Sequence, residues 1–119
     1  MNNMKKPKYP VLNVLYLPIK KRWFDMIASG EKKQEYREIK DYWCKRLTDN
    51  FLFVNGVDIK LKQFDFVCFR NGYQSDAPEL WVACKGITIG KAKPEWSDNW
   101  KGDVFVIELG RILAKPVVL

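Results

Sequence analysis

A small α+β domain, with a mostly antiparallel sheet or barrel carrying helices at one side, is the fold this sequence predicts. Several short β-branched or aromatic runs, punctuated by turn residues, follow two helical patterns near the start. The chain is 119 residues long, 47% apolar and 14% aromatic, enough to fill one core. No internal repeat or linker breaks it, so residues 1–119 read as one domain.

In chain order, residues 1–9 read as a flexible basic arm. The aliphatic run VLNVLYL (11–17) reads as a buried strand that Pro18 ends. From Lys20 to Ser29 the spacing turns helical, with Trp23, Phe24, Ile27 and Ala28 on one face. Gly30 then stands where a helix takes a left-handed terminal residue. Lys32 to Ile39 reads as a short, polar strand. DYWCKRL (41–47) reads as a helix capped by Asp41 that buries Tyr42 or Trp43 with Leu47. Asn55-Gly56 predicts a hairpin within 51–61. FDFVCF (64–69) is a strand followed by a turn at Asn71-Gly72, and LWVACKGITIG (80–90) is one or two strands. KPEWSDNWKG (93–102) is a Trp-rich loop, and DVFVIELGRIL (103–113) is a last strand.

Composition narrows the chemistry. The net charge of +7 favours an anionic partner, nucleic acid or nucleotide ahead of membrane. The sequence has no histidine, which excludes Ser–His and Cys–His nucleophiles. Cys44, Cys68 and Cys84 lack CxxC spacing, so neither metal nor cofactor is expected and the thiols read as reduced core residues. No run approaches the ~20 apolar residues of a membrane span. A cytoplasmic protein is the expectation.

The stretch SGEKKQEYREI (29–39) crowds charges of both signs around Tyr36. Alternation on a strand puts Lys33, Glu35 and Arg37 on one side and Lys32, Gln34, Tyr36 and Glu38 on the other. Glu35 and Arg37 can then pair as an acceptor beside a planar donor fork, suited to base edges or phosphate. Lys32 joins them only if the chain is twisted or bulged there. The alternative is a solvated edge strand whose charges deter edge-to-edge pairing.

The run Gly30 to Arg37 matches G-x-K-x-x-E-x-R, and in this the chain resembles the ASCH domain family, which is similar to the PUA RNA-binding domain and shares its compact β-barrel. LPIKKRWFDMIASG resembles the family's strand end, "IK" element and helix, and VFVIELGRIL its closing strand. The resemblance is least marked over 41–62. It implies a cleft between barrel and helix that takes RNA or a nucleotide-like ligand such as a modified nucleoside. Lys32, Glu35 and Arg37 carry over by position, and Lys20 matches the lysine of the "IK" element.

Some small ASCH proteins resemble a hydrolase of N4-acetylcytidine in which a lysine after the glycine works with a threonine and a distant glutamate. Here Lys32 is the matching lysine, Glu35 stands in the threonine's place, and Glu95 is the candidate distant acid. Hydrolysis is therefore the alternative to binding, with ribonuclease activity beside it. Elsewhere, Arg70 and Tyr73 flank a turn and read either as a base-stacking pair or as an ordinary hairpin. Trp96 and Trp100 read either as stacking surfaces or as a plug over a small core.

Overall fold

The structure is a computed structural model and describes residues 12–49 and 59–113. Among the described residues, five strands and two helices run in the order β1 (Val14–Pro18), α1 (Lys21–Ala28), β2 (Gln34–Glu38), α2 (Asp41–Leu47), β3 (Phe66–Arg70), β4 (Glu79–Lys91) and β5 (Asp103–Leu113). A 3-10 turn, Pro94–Trp96, sits in the β4–β5 connection. The basic arm and the Asn55-Gly56 hairpin expected from sequence lie outside the described residues.

The strands form one mixed sheet in the order β1-β3-β4-β5-β2. β1 runs parallel to β3, whereas β3–β4, β4–β5 and β5–β2 are antiparallel. The described strands curl into a half-barrel; the closed barrel expected from sequence does not appear among them. Curling comes from β4. Its first residues pair with β3 and most of its length pairs with β5, with register shifts between Val82 and Cys84 and between Cys84 and Gly86. Such bulges bend a strand and increase its twist.

The inner face of the half-barrel holds the core. Leu15 and Leu17 of β1, Val67 and Phe69 of β3, Phe105 and Ile107 of β5 alternate inward and are buried. Trp23 and Ile27 of α1, one helical turn apart, and Cys44 and Leu47 of α2 close over them. Full burial of each such aliphatic side chain contributes about 1.5–3 kcal/mol. A smaller cluster on the other face of β5 and β2 gathers Tyr36, Val104 and Val106 under Trp96 and Trp100.

Helix α1 ends as the glycine predicts. Gly30 adopts φ +86°, its N–H donates to the Ile27 carbonyl at 3.0 Å, and the Lys32 N–H reaches back to Met26 at 3.0 Å. An L-residue at this φ costs about 1–2 kcal/mol, so glycine lets the chain reverse directly from helix into β2.

Helix α2 forms where expected but differs at its start. Lys40, extended and without a side-chain cap bond, is the cap, and Asp41 is the first helical residue. Asp41 in the first turn and Lys45 and Arg46 in the last match the helix dipole at both ends. Cys44 and Leu47 are its buried residues, leaving Trp43 half-buried and Tyr42 exposed.

Among the described residues no helix is long and apolar enough to cross a membrane, and no group of three or more potential metal ligands assembles.

Candidate ligand cleft

Strand β2 is an edge of the sheet, and its two faces do different work. Its register sets Glu35 opposite Ile107 and Arg37 opposite Phe105, on the core-facing side, and sets Tyr36 opposite Val106 on the other. Two charged side chains therefore point where the barrel interior is apolar. They are tolerated because each finds partners.

Arg37 donates through Nη1 to the Glu35 carboxylate and to the Tyr36 carbonyl (2.8 Å), and through Nη2 to the Pro18 carbonyl (2.8 Å). It thus ties the end of β1 to β2 across the open side of the half-barrel. Its guanidinium lies 5.1 Å from the Trp43 ring centroid. The other Glu35 oxygen is 3.2 Å from Lys32 Nζ. Lys32 is only 1% exposed. Its ammonium donates to the Trp96 carbonyl and lies 4.8 Å from the ring centroids of both Trp23 and Tyr36. One carboxylate is held between two cations, with aromatic faces supplying further negative potential.

Lys32 reaches Glu35 because it precedes β2. Alternation on a strand assigned it to the opposite face, but the strand begins at Gln34, and the backbone at Lys32 still follows the helix end. Burial dominates its titration and pushes its pKa below the ordinary lysine value. Glu35 pulls upward against this, and Arg37 adds a smaller downward push. Tyr36 moves the other way: burial raises its pKa, against a lowering bond from the Lys93 N–H at 3.1 Å. The Tyr36 hydroxyl donates to Gln34 at 2.6 Å, and the Gln34 amide donates to Glu108 at 2.7 Å. This second chain of bonds fixes the β2 ring from behind.

Above Glu35 and Arg37 opens a cleft of about 480 Å³, within the size range of small-ligand sites. Trp23 from α1, Trp43 from α2, and Trp96 and Trp100 from the β4–β5 loop converge on it. Lys20 and Asp98 stand at its rim and pair across it at 3.4 Å, both well exposed. The cleft thus combines stacking surfaces with a donor fork and an acceptor fixed side by side.

Of the residues singled out from sequence, Lys20, Glu35 and Arg37 line the cleft, and Lys32 lies beneath its floor. Trp96 and Trp100 line it and also cover the smaller cluster, so the two readings of that loop coincide. Glu95 is exposed on the 3-10 turn and is not part of the lining; Asp98 is the acid at the rim. Arg70 and Tyr73 are not brought to the cleft. Arg70 pairs with Glu79 at 3.3 Å and donates to the Gln74 carbonyl, and Tyr73 is 87% exposed. Their turn contributes indirectly: the Asn71 amide donates to the Ile19 carbonyl at 3.0 Å, and the Ile19 N–H donates to Arg70, bracing the segment that carries Lys20.

Sequence reasoning missed Trp43 and Asp98 and read Trp23 only as core. A signal for Trp43 existed. On a short helix whose buried residues are Cys44 and Leu47, the adjacent Tyr42 and Trp43 cannot both enter the core. Comparison of the chain with protein-family models, curated proteins and solved structures returns no match.

Proposed function

We propose that this chain is an ASCH-type domain with a PUA-like architecture, and that it binds RNA or a nucleotide-like ligand by taking a base into the cleft. The observation that carries this reading is the Glu35–Arg37 pair, buried on an edge strand and facing an aromatic-walled cleft. A base offers two π faces for tryptophan and an edge with adjacent donors and acceptors. A fixed carboxylate beside a guanidinium complements such an edge, and the overall charge of +7 favours the attached phosphates.

The test is a titration of intrinsic tryptophan fluorescence with cytidine monophosphate and with a single-stranded RNA hexamer, at two salt concentrations. Binding should quench the signal and weaken with salt. Glu35→Gln, which keeps the shape of the side chain and removes its charge, should reduce affinity about 10-fold or more. RNA held no better than by an unrelated protein of equal charge overturns the reading.

One observation favours hydrolysis of a modified nucleoside as a second reading: burial lowers the pKa of Lys32, which suits a general base. Against it, the Lys32 side chain is closed to solvent and its ammonium is bonded to Glu35 and Trp96. Turnover of N4-acetylcytidine by the wild type, lost in Lys32→Ala, would establish the enzyme. No turnover leaves the binder.

A further inference from the structure

Beside the cleft, on α2, lies a second aromatic surface that the ligand reading does not use. Its ring, Tyr42, is 57% exposed. Arg46 stands one turn along α2 from Tyr42. It donates to the Tyr42 hydroxyl at 3.3 Å and to the Tyr16 carbonyl at 3.2 Å. Its guanidinium lies 5.7 Å from the Tyr42 ring centroid and 5.3 Å from that of Trp43.

The surface is continuous with the cleft. Trp43 is shared: one side lines the cleft under Arg37, and its ring meets Tyr42 edge-on at 4.8 Å and 90°. The segment 40–47 carries three cations, Lys40, Lys45 and Arg46, against one acid, Asp41, although Lys40 also pairs with Glu38 at 3.6 Å; the excess suits a polyanion. Rings on a cationic surface, arranged in file, are what binding of single-stranded nucleic acid uses, because each base has a π face and each phosphate a charge.

We infer that the cleft takes its base from a single-stranded RNA rather than from a free nucleoside, and that α2 holds the adjoining nucleotide, stacked on Tyr42 with its phosphate on Arg46. This rests on the nucleotide-binding reading of the cleft and extends it from a one-base pocket to a strand-binding track. Arg46 is held in place by Tyr16 and Tyr42 before any strand arrives, so little side-chain freedom is lost on binding.

The experiment compares a fluorescein-labelled RNA hexamer by anisotropy with cytidine monophosphate by tryptophan fluorescence, using the wild type, Tyr42→Ala, Arg46→Gln and Glu35→Gln. The wild type should bind the hexamer more tightly than the mononucleotide. Tyr42→Ala should weaken the hexamer about 5-fold or more, as loss of a stacking ring does. Arg46→Gln should weaken it and reduce the slope of affinity against salt by about one. Both should leave mononucleotide affinity unchanged, whereas Glu35→Gln should weaken both probes. Far-ultraviolet circular dichroism confirms that each variant folds.

Equal affinity for the two probes in the wild type overturns the track and leaves the cleft. So does a hexamer affinity unaltered in both α2 variants, which would assign the exposed Tyr42 to a protein partner. Failure of the wild type to bind either probe overturns the cleft reading and the track with it.

Discussion

Arg37 and Arg70 invite comparison. Each lies near the end of a five-residue strand, Arg37 next to last in β2 and Arg70 last in β3, and each pairs with a glutamate, Arg37 with Glu35 and Arg70 with Glu79. The surroundings separate them. Arg37 and Glu35 are 13% and 6% exposed, enclosed by two helices and a loop that bring in three tryptophans besides Trp43. Arg70 and Glu79 are about twice to five times as exposed, at 30% and 29%; one indole, Trp81, donates to Glu79 at 3.3 Å, and Tyr73 beyond the turn projects into solvent. A basic residue near an acid and an aromatic is therefore common currency on a surface. It becomes a site when elements distant in sequence close around it and remove water.

The largest effect that would test this difference is on stability. Glu35→Ala leaves Lys32 and Arg37 as buried cations without their shared carboxylate and should destabilise the fold by about 3–5 kcal/mol in urea unfolding. Glu79→Ala, which opens a pair near the surface, should cost under about 1 kcal/mol. Similar costs for the two would break the comparison.

A smaller effect sharpens it through pH. Burial holds the Lys32 pKa below that of the unfolded chain, so between the two values the unfolded state binds the extra proton. Stability then rises with pH through this window, and the burial cost is present in full only below the folded pKa. Tyr36 works oppositely above the ordinary tyrosine range, where the unfolded phenol ionises first and stability falls. The stability of the wild type minus that of Lys32→Met should therefore climb with alkaline pH, since Tyr36 is common to both. A flat difference would mean that Lys32 is as well solvated as a surface lysine.

The smallest effect concerns the hairpin. Tyr73→Ala should change unfolding free energy by no more than about 0.5 kcal/mol and leave RNA and mononucleotide affinity as in the wild type. A loss of affinity there would move Tyr73 into the ligand surface and enlarge the site beyond the cleft.

Much of the fold was legible because it is written in local spacing. The run Trp23, Phe24, Ile27 marks the inner face of α1, the β-branched and aromatic run 104–107 marks β5, and Gly30 marks the reversal between helix and strand. The candidate site was legible in part. Glu35 and Arg37 share a face by simple alternation, so their pairing follows from sequence. Lys32 does not follow, because alternation holds only inside a strand and Lys32 lies before one. Glu95 and Asp98 occupy the same loop, and which acid turns toward the cleft depends on the 3-10 turn at Pro94–Trp96. The cap of α2 moved by one residue for a similar reason. Lys40 carries the extended backbone that a cap needs, although Asp41 has the favoured side chain.

By itself the sequence determined an α+β chain with two helices, strands at β1, β3, β4 and β5, a polar strand at β2, and a Glu–Arg pair on one face of it. These are near-neighbour matters, decided by side-chain period, glycine conformation and turn chemistry within a few residues. Only the tertiary structure decided that β1 lies parallel to β3, that β4 bends the sheet into a half-barrel, and that Trp23, Trp43, Trp96 and Trp100 meet over Glu35 and Arg37. Those contacts join residues from 6 positions apart, Arg37 and Trp43, to 77, Trp23 and Trp100. They are selected by the burial of apolar surface summed over the whole chain, a quantity to which no short window of sequence has access.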